Sequence, residues 1–397
     1  MDGRLEKEMM LAGARIALNA TDSARTCLAI EHGRLRFSST DVRHACTLDL
    51  NGHLILPGLI NSHDHLEFNL FPRLGRGPYA SAAAWADDIY RPLDAPVRQH
   101  LQVPKTTRLL WGGIKNLVSG VTTVSHHNPY DAEVFDTAFP VRVAKRFGWA
   151  HSLRFCADVK ERFRLTPPDA PFIVHAGEGT DSQAKDEVYS LDRAGILASS
   201  TVLVHGTAFQ DQELELIQRR GASVVWCPSS NRFMLGATLS PAALDAAIPI
   251  ALGTDSALTA DGDLIDEVAS ARRHADPCRV YDMVTIDAAR ILRLTNGEGT
   301  LRDGGIADLV VIRDEGLRPA DALSVLRPEL VMVNGRVKLL SDEMANRLST
   351  PDLSGFEPIE IEDRGHFLID CRVSEAFNCA VQHLGADFRL AGKRVLI

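Results

Sequence analysis

Residues 54–68, LILPGLINSHDHLEF, carry an apolar run that stops abruptly at two imidazoles, His63 and His65, separated by one residue. Side chains i and i+2 of a β-strand share a face, so the pair can grip one metal ion as half a site. In isolation, two polar residues at a strand end facing solvent would read the same way. The stretch also marks a change of pattern. Upstream, CLAIEHGRLRF (27–37) and ACTLDLNGHLIL (45–56) predict small antiparallel strands punctuated by glycine or asparagine. From residue 57, strand-like runs alternate with amphipathic helical segments. The runs are GLINSHDH, GVTTVSHH, PFIVHAGE, STVLVHGT, ASVVWCPSS and IPIALGTDS; the helices include SQAKDEVYSLDRAGI, QDQELELIQRRG and DGDLIDEVASARRHA. Repeated strand-helix units imply a parallel sheet. Polar clusters at the run ends fit a (β/α)8 barrel with its chemistry at the C-terminal strand ends.

The β-type pattern returns after YDMVTIDAARILRLTN, in IADLVVIRD (306–314) and ELVMVNGRVKLL (329–340). A small β-domain fed by both termini is therefore expected. The boundaries are 1–56 and 299–353 for its two parts and 57–298 for the barrel. Residues 354–397 form an extension without a recognisable motif, although FLIDCRV and RVLI are strand-like. A net charge of −9 without a lysine- or arginine-rich run argues against nucleic acid or an anionic membrane as partner. Seven scattered cysteines with no CxxC spacing indicate neither a disulfide framework nor a zinc-thiolate site. No basic segment precedes an apolar stretch at the N-terminus, and no run reaches the length of a membrane span. A soluble, cytoplasmic protein is the expectation.

Further candidate ligands close later apolar runs. PFIV ends at His175, with Glu178 three residues on; TVLV ends at His205; IALGT ends at Asp255, in a segment too apolar to solvate a carboxylate without a cation or hydrogen-bond donors. Each has an ordinary structural alternative, and Asp255 could be a helix N-cap. Apolar strands that each deliver a His or Asp at the same end point jointly to a mononuclear metal site. Imidazole and carboxylate ligands without thiolate suit Zn²⁺ or Fe²⁺, with an open position for an activated water whose proton Asp255 could accept.

On these residues the chain resembles the amidohydrolase superfamily, in the branch of cytosine, guanine and adenosylhomocysteine deaminases and triazine chlorohydrolases. The resemblance spans about residues 45–340 and rests on LPGLINSHDHL, SGVTTV, VHAGE, LVHGTAF, VVWCPSSN, IALGTDS and GTLRDGGIADLVVI. It implies a distorted (β/α)8 (TIM) barrel flanked by a β-sandwich from both termini, and a homo-oligomer. It further implies that His63, His65, His175 and Asp255 bind one divalent metal ion. His205 would hydrogen-bond the attacking water or substrate, and Glu178 would shuttle protons to a ring nitrogen. The expected function is an aminohydrolase that deaminates a pyrimidine- or purine-like heterocycle by metal-hydroxide attack, releasing ammonia. Hydrolysis of a cyclic amide or ring chloride by the same site is the nearer alternative, and a non-catalytic, metal-containing ligand-binding barrel the more distant one.

Two departures qualify the resemblance. Between SGVTTV and PFIVHAGE there is only FPVRVAKRFGWAHSLRF and a brief DVKERFRL, so the third and fourth barrel units are abbreviated. No lysine closes a fourth strand, Lys145 being the least implausible, which disfavours a binuclear site. Candidate substrate contacts lie after the strands: Glu67, Asn69, His126, Trp226, Ser229, Asn231 and Arg232. One of His126 and His127 is expected to face the barrel mouth and the other to be structural. Trp85 and Tyr90 could close over a planar ring, though aromatic spacing on a helix is more often packing.

Overall fold

A computed structural model describes residues 8–38, 46–347 and 353–397. The extreme N-terminus and part of the 299–353 boundary region thus lie outside the described residues. Eight parallel strands carry the central region: β1 (Leu59–Asp64), β2 (Val121–His126), β3 (Arg142–Val143), β4 (Gly148–Ser152), β5 (Phe172–Ala176), β6 (Thr201–His205), β7 (Ser223–Trp226) and β8 (Ile250–Leu252). Strands β1 to β3 form one parallel sheet and β4 to β8 another. Just past β8, the amides of Thr254 and Asp255 donate to the His63 carbonyl at 2.9 and 3.0 Å, and Asp255 forms a parallel bridge with Asp64. Among the described residues no ladder joins β3 to β4. This gap falls where the sequence is abbreviated: β3 has two residues and no helix separates it from β4.

Helices occupy the crossover from β1 to β2 and those from β4 onward, for local reasons. Ser182–Arg193 buries Ala184, Val188 and Leu191, spaced to share one face, and the Asp181 carboxylate caps its first turn by accepting from the Ala184 amide. Asp211–Arg220 begins with a capping box between Gln210 and Glu213 and stops at Gly221, whose φ of 70° favours glycine.

The terminal segments build two further sheets. Met9–Ala12, Cys27–Glu31, Arg34–Ser38 and Cys46–Asp49 form a four-stranded sheet. A ten-stranded sheet takes strands from both ends of the chain, with Leu309–Arg313 and His53–Pro57 paired near its middle. Leu309, Val311, Leu330 and Met332 share a buried cluster with Met9, Leu11, Leu28 and Ile30 of the smaller sheet. The alternate residues Val310, Ile312, Val331 and Val333 join the cluster that contains Val118 and Val121 beside the parallel strands. Burial on both faces explains why LVVI and LVMV are continuous apolar runs without a polar alternation.

The segment after Ser354 belongs to the same framework. Phe356–Ile361, Gly365–Asp370, Arg389–Leu390 and Lys393–Leu396 extend the ten-stranded sheet, so FLIDCRV and RVLI do supply strands. Arg364 clamps Asp263 and Asp266 at 2.7 and 2.8 Å, tying this segment to the helix Leu264–Ala271 that follows β8. Among the described residues, no helix is long and apolar enough to cross a membrane.

Candidate active site

Strand alternation puts His63 and His65 on the same side of β1 while Asp64 turns the other way. Both imidazole Nε2 atoms lie 3.6 Å from Asp255 Oδ1, and His63 Nε2 lies 3.2 Å from His175 Nε2. All four residues are buried. Candidate ligand atoms of His63, His65 and Asp255 fall within 4.8 Å of one another, as do those of His63, His175 and His205. Burial pushes the His63 imidazole down to about 4 and holds His175 well below its ordinary value. Neutral imidazoles are the form that binds metal. Burial disfavours the Asp255 carboxylate, but its hydrogen bond with His63 and the surrounding histidines hold it ionised, well below the usual range. A buried, neutral-imidazole and carboxylate donor set of this kind fits a divalent cation such as Zn²⁺ or Fe²⁺.

Supporting contacts aim these groups. His175 Nδ1 donates to the His151 carbonyl at 2.8 Å, and His205 Nδ1 donates to Asn231 Oδ1 at 2.8 Å; each leaves Nε2 facing the site. Asp255 Oδ2 accepts from Ser230 Oγ at 2.6 Å and Thr259 Oγ1 at 3.0 Å, which leaves Oδ1 for the histidines. His205 and Asp255 have φ of 81° and 57°, a backbone region that costs a non-glycine residue on the order of 1–3 kcal/mol. Gly253 permits the close approach of β8 to β1, since a Cβ there would lie 2.7 Å from His63 Cβ.

Glu178 lies across from Asp255, with Oε1 3.2 Å from His205 Nε2. Its carboxyl is held well above the ordinary carboxylate range by burial, then by the negative charges of Asp255 and Glu187. Candidate ligand atoms of Glu178, His205 and Asp255 again lie within 4.8 Å of one another. One carboxyl able to hold a proton and one that stays ionised thus face the same point, a pairing suited to acid and base work in one reaction.

These groups open onto a cavity of about 370 Å³. Its polar lining is His65, His151, His175, Glu178 and Asp255, with Ser256 and Thr259. Its apolar lining is Phe68, Ala82, Trp85, Ala86, Phe155 and Leu258. Trp85 is where a ring-covering residue was expected, whereas Tyr90 is 81% exposed and does not line the cavity. His151 and Phe155 were not among the expected site residues. Their signal was GWAHS (148–152), one more short strand running up to a histidine, inside the segment read as abbreviated.

None of the seven expected substrate contacts lines this cavity. Glu67 accepts from Asn128 Nδ2 at 2.8 Å and sits 3.5 Å from His126 Nε2, while His126 Nδ1 accepts the Leu66 amide. Asn69 bridges Asp64 and Lys115. Trp226 is fully buried and donates to Thr238 Oγ1. The Ser229 amide donates to Glu267, and Arg232 turns outward to meet His274. Asn231 serves the site indirectly, through His205. His127, not His126, lies against the clustered imidazoles, 4.5 Å from His175 and 4.9 Å from His63 between centroids. Lys145 lies over the Tyr130 ring, and no lysine joins the cavity wall.

Comparison with known proteins agrees with this architecture. The chain is 24% identical to a 5-methylthioadenosine/S-adenosylhomocysteine deaminase of Pyrococcus furiosus, over 80% of this chain and 86% of that protein. It is 25% identical to a 5'-deoxyadenosine deaminase of Methanothermobacter thermautotrophicus, over 78% of this chain and 85% of that protein. A zinc-bound adenosine deaminase structure from Xanthomonas campestris superposes with a TM-score of 0.64 at 19% identity, covering 87% of this chain and 95% of that one. The zinc complex of atrazine chlorohydrolase from Arthrobacter aurescens gives 0.64 at 18% identity, covering 87% and 97%. These likenesses show a TIM-barrel-like α/β fold. Residues 169–338, which hold His175, Glu178, His205 and Asp255, match the amidohydrolase family model, and the chain therefore contains an amidohydrolase-family domain.

Proposed function

We propose that the chain is a metal-dependent aminohydrolase that converts an amino-substituted nitrogen heterocycle to the corresponding carbonyl compound and ammonia. The observation that carries this reading is geometric: ligand atoms of Glu178, His205 and Asp255 lie within 4.8 Å of one another, beside the cluster of His63, His65 and His175, with burial raising the pKa of the Glu178 carboxyl and hydrogen bonding to His63 lowering that of Asp255. Relatives over most of the chain's length are named deaminases, which supports the same reading.

One divalent ion, Zn²⁺ or Fe²⁺, would be held by His63, His65, His175 and Asp255, and would supply Lewis acidity that lowers the pKa of water. The chain's own groups account for the proton traffic. The Glu178 carboxyl gives its proton to the ring nitrogen as the amino-bearing carbon becomes tetrahedral. Asp255 takes the proton of the attacking water. His205, locked by Asn231 with Nε2 inward, holds the new oxygen in place. Asp255 then passes that proton to the exocyclic nitrogen; the C–N bond breaks as the oxygen's lone pair forms the carbonyl, and the hydroxyl proton returns to Glu178, so that ammonia leaves and both carboxyls are restored.

The proposal includes a distorted (β/α)8 barrel over residues 57–298, with a β-sandwich from 1–56 and 299–353 and an extension at 354–397. The shared cluster between the four- and ten-stranded sheets supports the sandwich. It also includes a cytoplasmic homo-oligomer. Six cysteines unpaired among the described residues support the location.

An ammonia-release screen of aminopyrimidines, aminopurines, pterins and triazines tests the function. Ammonia is expected from at least one class, and Glu178→Gln should abolish it with metal content unchanged. Ring opening without ammonia, or metal retained with no turnover on any class, would overturn the proposal.

A further inference from the structure

We infer that the cavity selects amino-heterocycles whose ring substituent is uncharged and apolar, and rejects those ending in a carboxylate or zwitterion. Trp85 and Phe155 are the residues that set this preference. The inference deepens the aminohydrolase reading and rests on it.

The carboxyl groups of the cavity already have tasks. Among the described residues, its acidic and basic side chains other than histidine are Glu178 and Asp255, and no lysine or arginine lines it. The Thr259 hydroxyl is engaged by Asp255 and Ser230. Phe68, Trp85, Phe155 and Leu258 offer hydrocarbon and ring surface to the cavity. The single donor of the Trp85 indole is spent on the Leu74 carbonyl at 2.9 Å, so the side chain presents its ring alone. Phe155 is edge-on to His151, with ring centroids 5.0 Å apart, and is 47% exposed at the mouth.

The Arg154 guanidinium lines an adjoining crevice and not this cavity; it lies 5.8 Å from the Phe155 ring centroid and pairs with Asp87 at 3.2 Å. The same crevice carries Asp181, Glu178 and Glu187, whose carboxyls a bound carboxylate would also have to approach. A buried anion without a partner loses its hydration uncompensated. An apolar substituent gains by covering the aromatic wall.

The two compounds in the name of the Pyrococcus furiosus relative share an adenosine ring and differ in this respect: one ends in a methylthio group, the other in a homocysteine zwitterion. The test measures binding to the metal-loaded full chain by calorimetry. The probes are that pair, plus 4-aminopyrimidine and amino-triazine rings carrying the same two tails, with ammonia measured in the same samples. The apolar-tailed member of each binding pair should bind at least 100-fold more tightly. Phe155→Arg should narrow the gap to under tenfold, and Trp85→Ala should weaken the apolar-tailed member about tenfold. Binding within tenfold for both tails, or no binding of any apolar-tailed ring, overturns the inference. Selective binding without ammonia upholds it while overturning the aminohydrolase reading. Ammonia from both tails at equal kcat/KM overturns it while leaving that reading intact.

Discussion

Asp64 separates His63 from His65 in sequence but points away from them, and its carboxylate meets the Lys115 ammonium at 2.8 Å in the protein interior. Asn116 Nδ2 and Asn69 Nδ2 donate to the same carboxylate at 2.8 and 2.9 Å. The pair pins β1 to the helix Lys105–Val118 directly behind His63 and His65. Removing one partner of a buried pair leaves the other charge uncompensated, at about 3–5 kcal/mol. Lys115→Met is therefore expected to lower unfolding free energy by about that amount in denaturant titration and to weaken metal retention in the folded fraction.

Asn231 acts only through His205. Asn231→Ala frees the imidazole to rotate or change tautomer, and partners of this kind typically contribute about 10- to 100-fold to activity. The expected outcome is a fall in kcat of that size, with bound metal unchanged by elemental analysis. An unchanged kcat would show that His205 needs no such alignment.

Arg364 links the C-terminal segment to the helix after β8 through Asp263, whose carboxylate is almost fully buried. Arg364→Met should destabilise the chain by about 3 kcal/mol or more. Hydrogen exchange should show the greatest loss of protection in the segment from Asp255 to Ala271, since that segment begins at a site residue and carries the clamped Asp263 and Asp266.

Glu187 gives a pH dependence with a definite sign. Burial pushes its carboxyl up to about 7, although the Gly177 amide donates to it at 2.8 Å and pulls the other way. The folded chain thus binds a proton that the unfolded chain has released, and Glu187 costs stability as pH rises from about 4.5, fully so above 7. Glu187→Gln keeps an acceptor for Gly177 and removes the titration. Its denaturation midpoint should match the parent near pH 4.5 and exceed it at pH 8. A variant less stable than the parent at pH 8 would contradict the assignment.

The strand ends were legible because a parallel strand buried on both faces leaves an apolar run with one abrupt polar stop. His63, His65, His175, His205 and Asp255 stand at such stops, and the fold brings all five together. The substrate wall was not legible, because it depends on which way residues turn beyond the strand. Val225 packs in the inner cluster, so its neighbour Trp226 faces the outer layer. WCPSSNRF continues into the helix Pro228–Leu235, on which Ser230 and Asn231 turn inward and Arg232 outward. Phe155 sits past β4, whose half-buried residues give no continuous apolar run and which follows β3 without a helix, so the strand-helix period does not show.

The central claim is one metal site that releases ammonia. Protein stripped with a chelator should be inactive on its best amino-heterocycle, and ammonia release should rise with added Zn²⁺ or Fe²⁺ to a plateau at one equivalent per chain. Ammonia release indifferent to the chelator, or a plateau reached only at two equivalents, would contradict it.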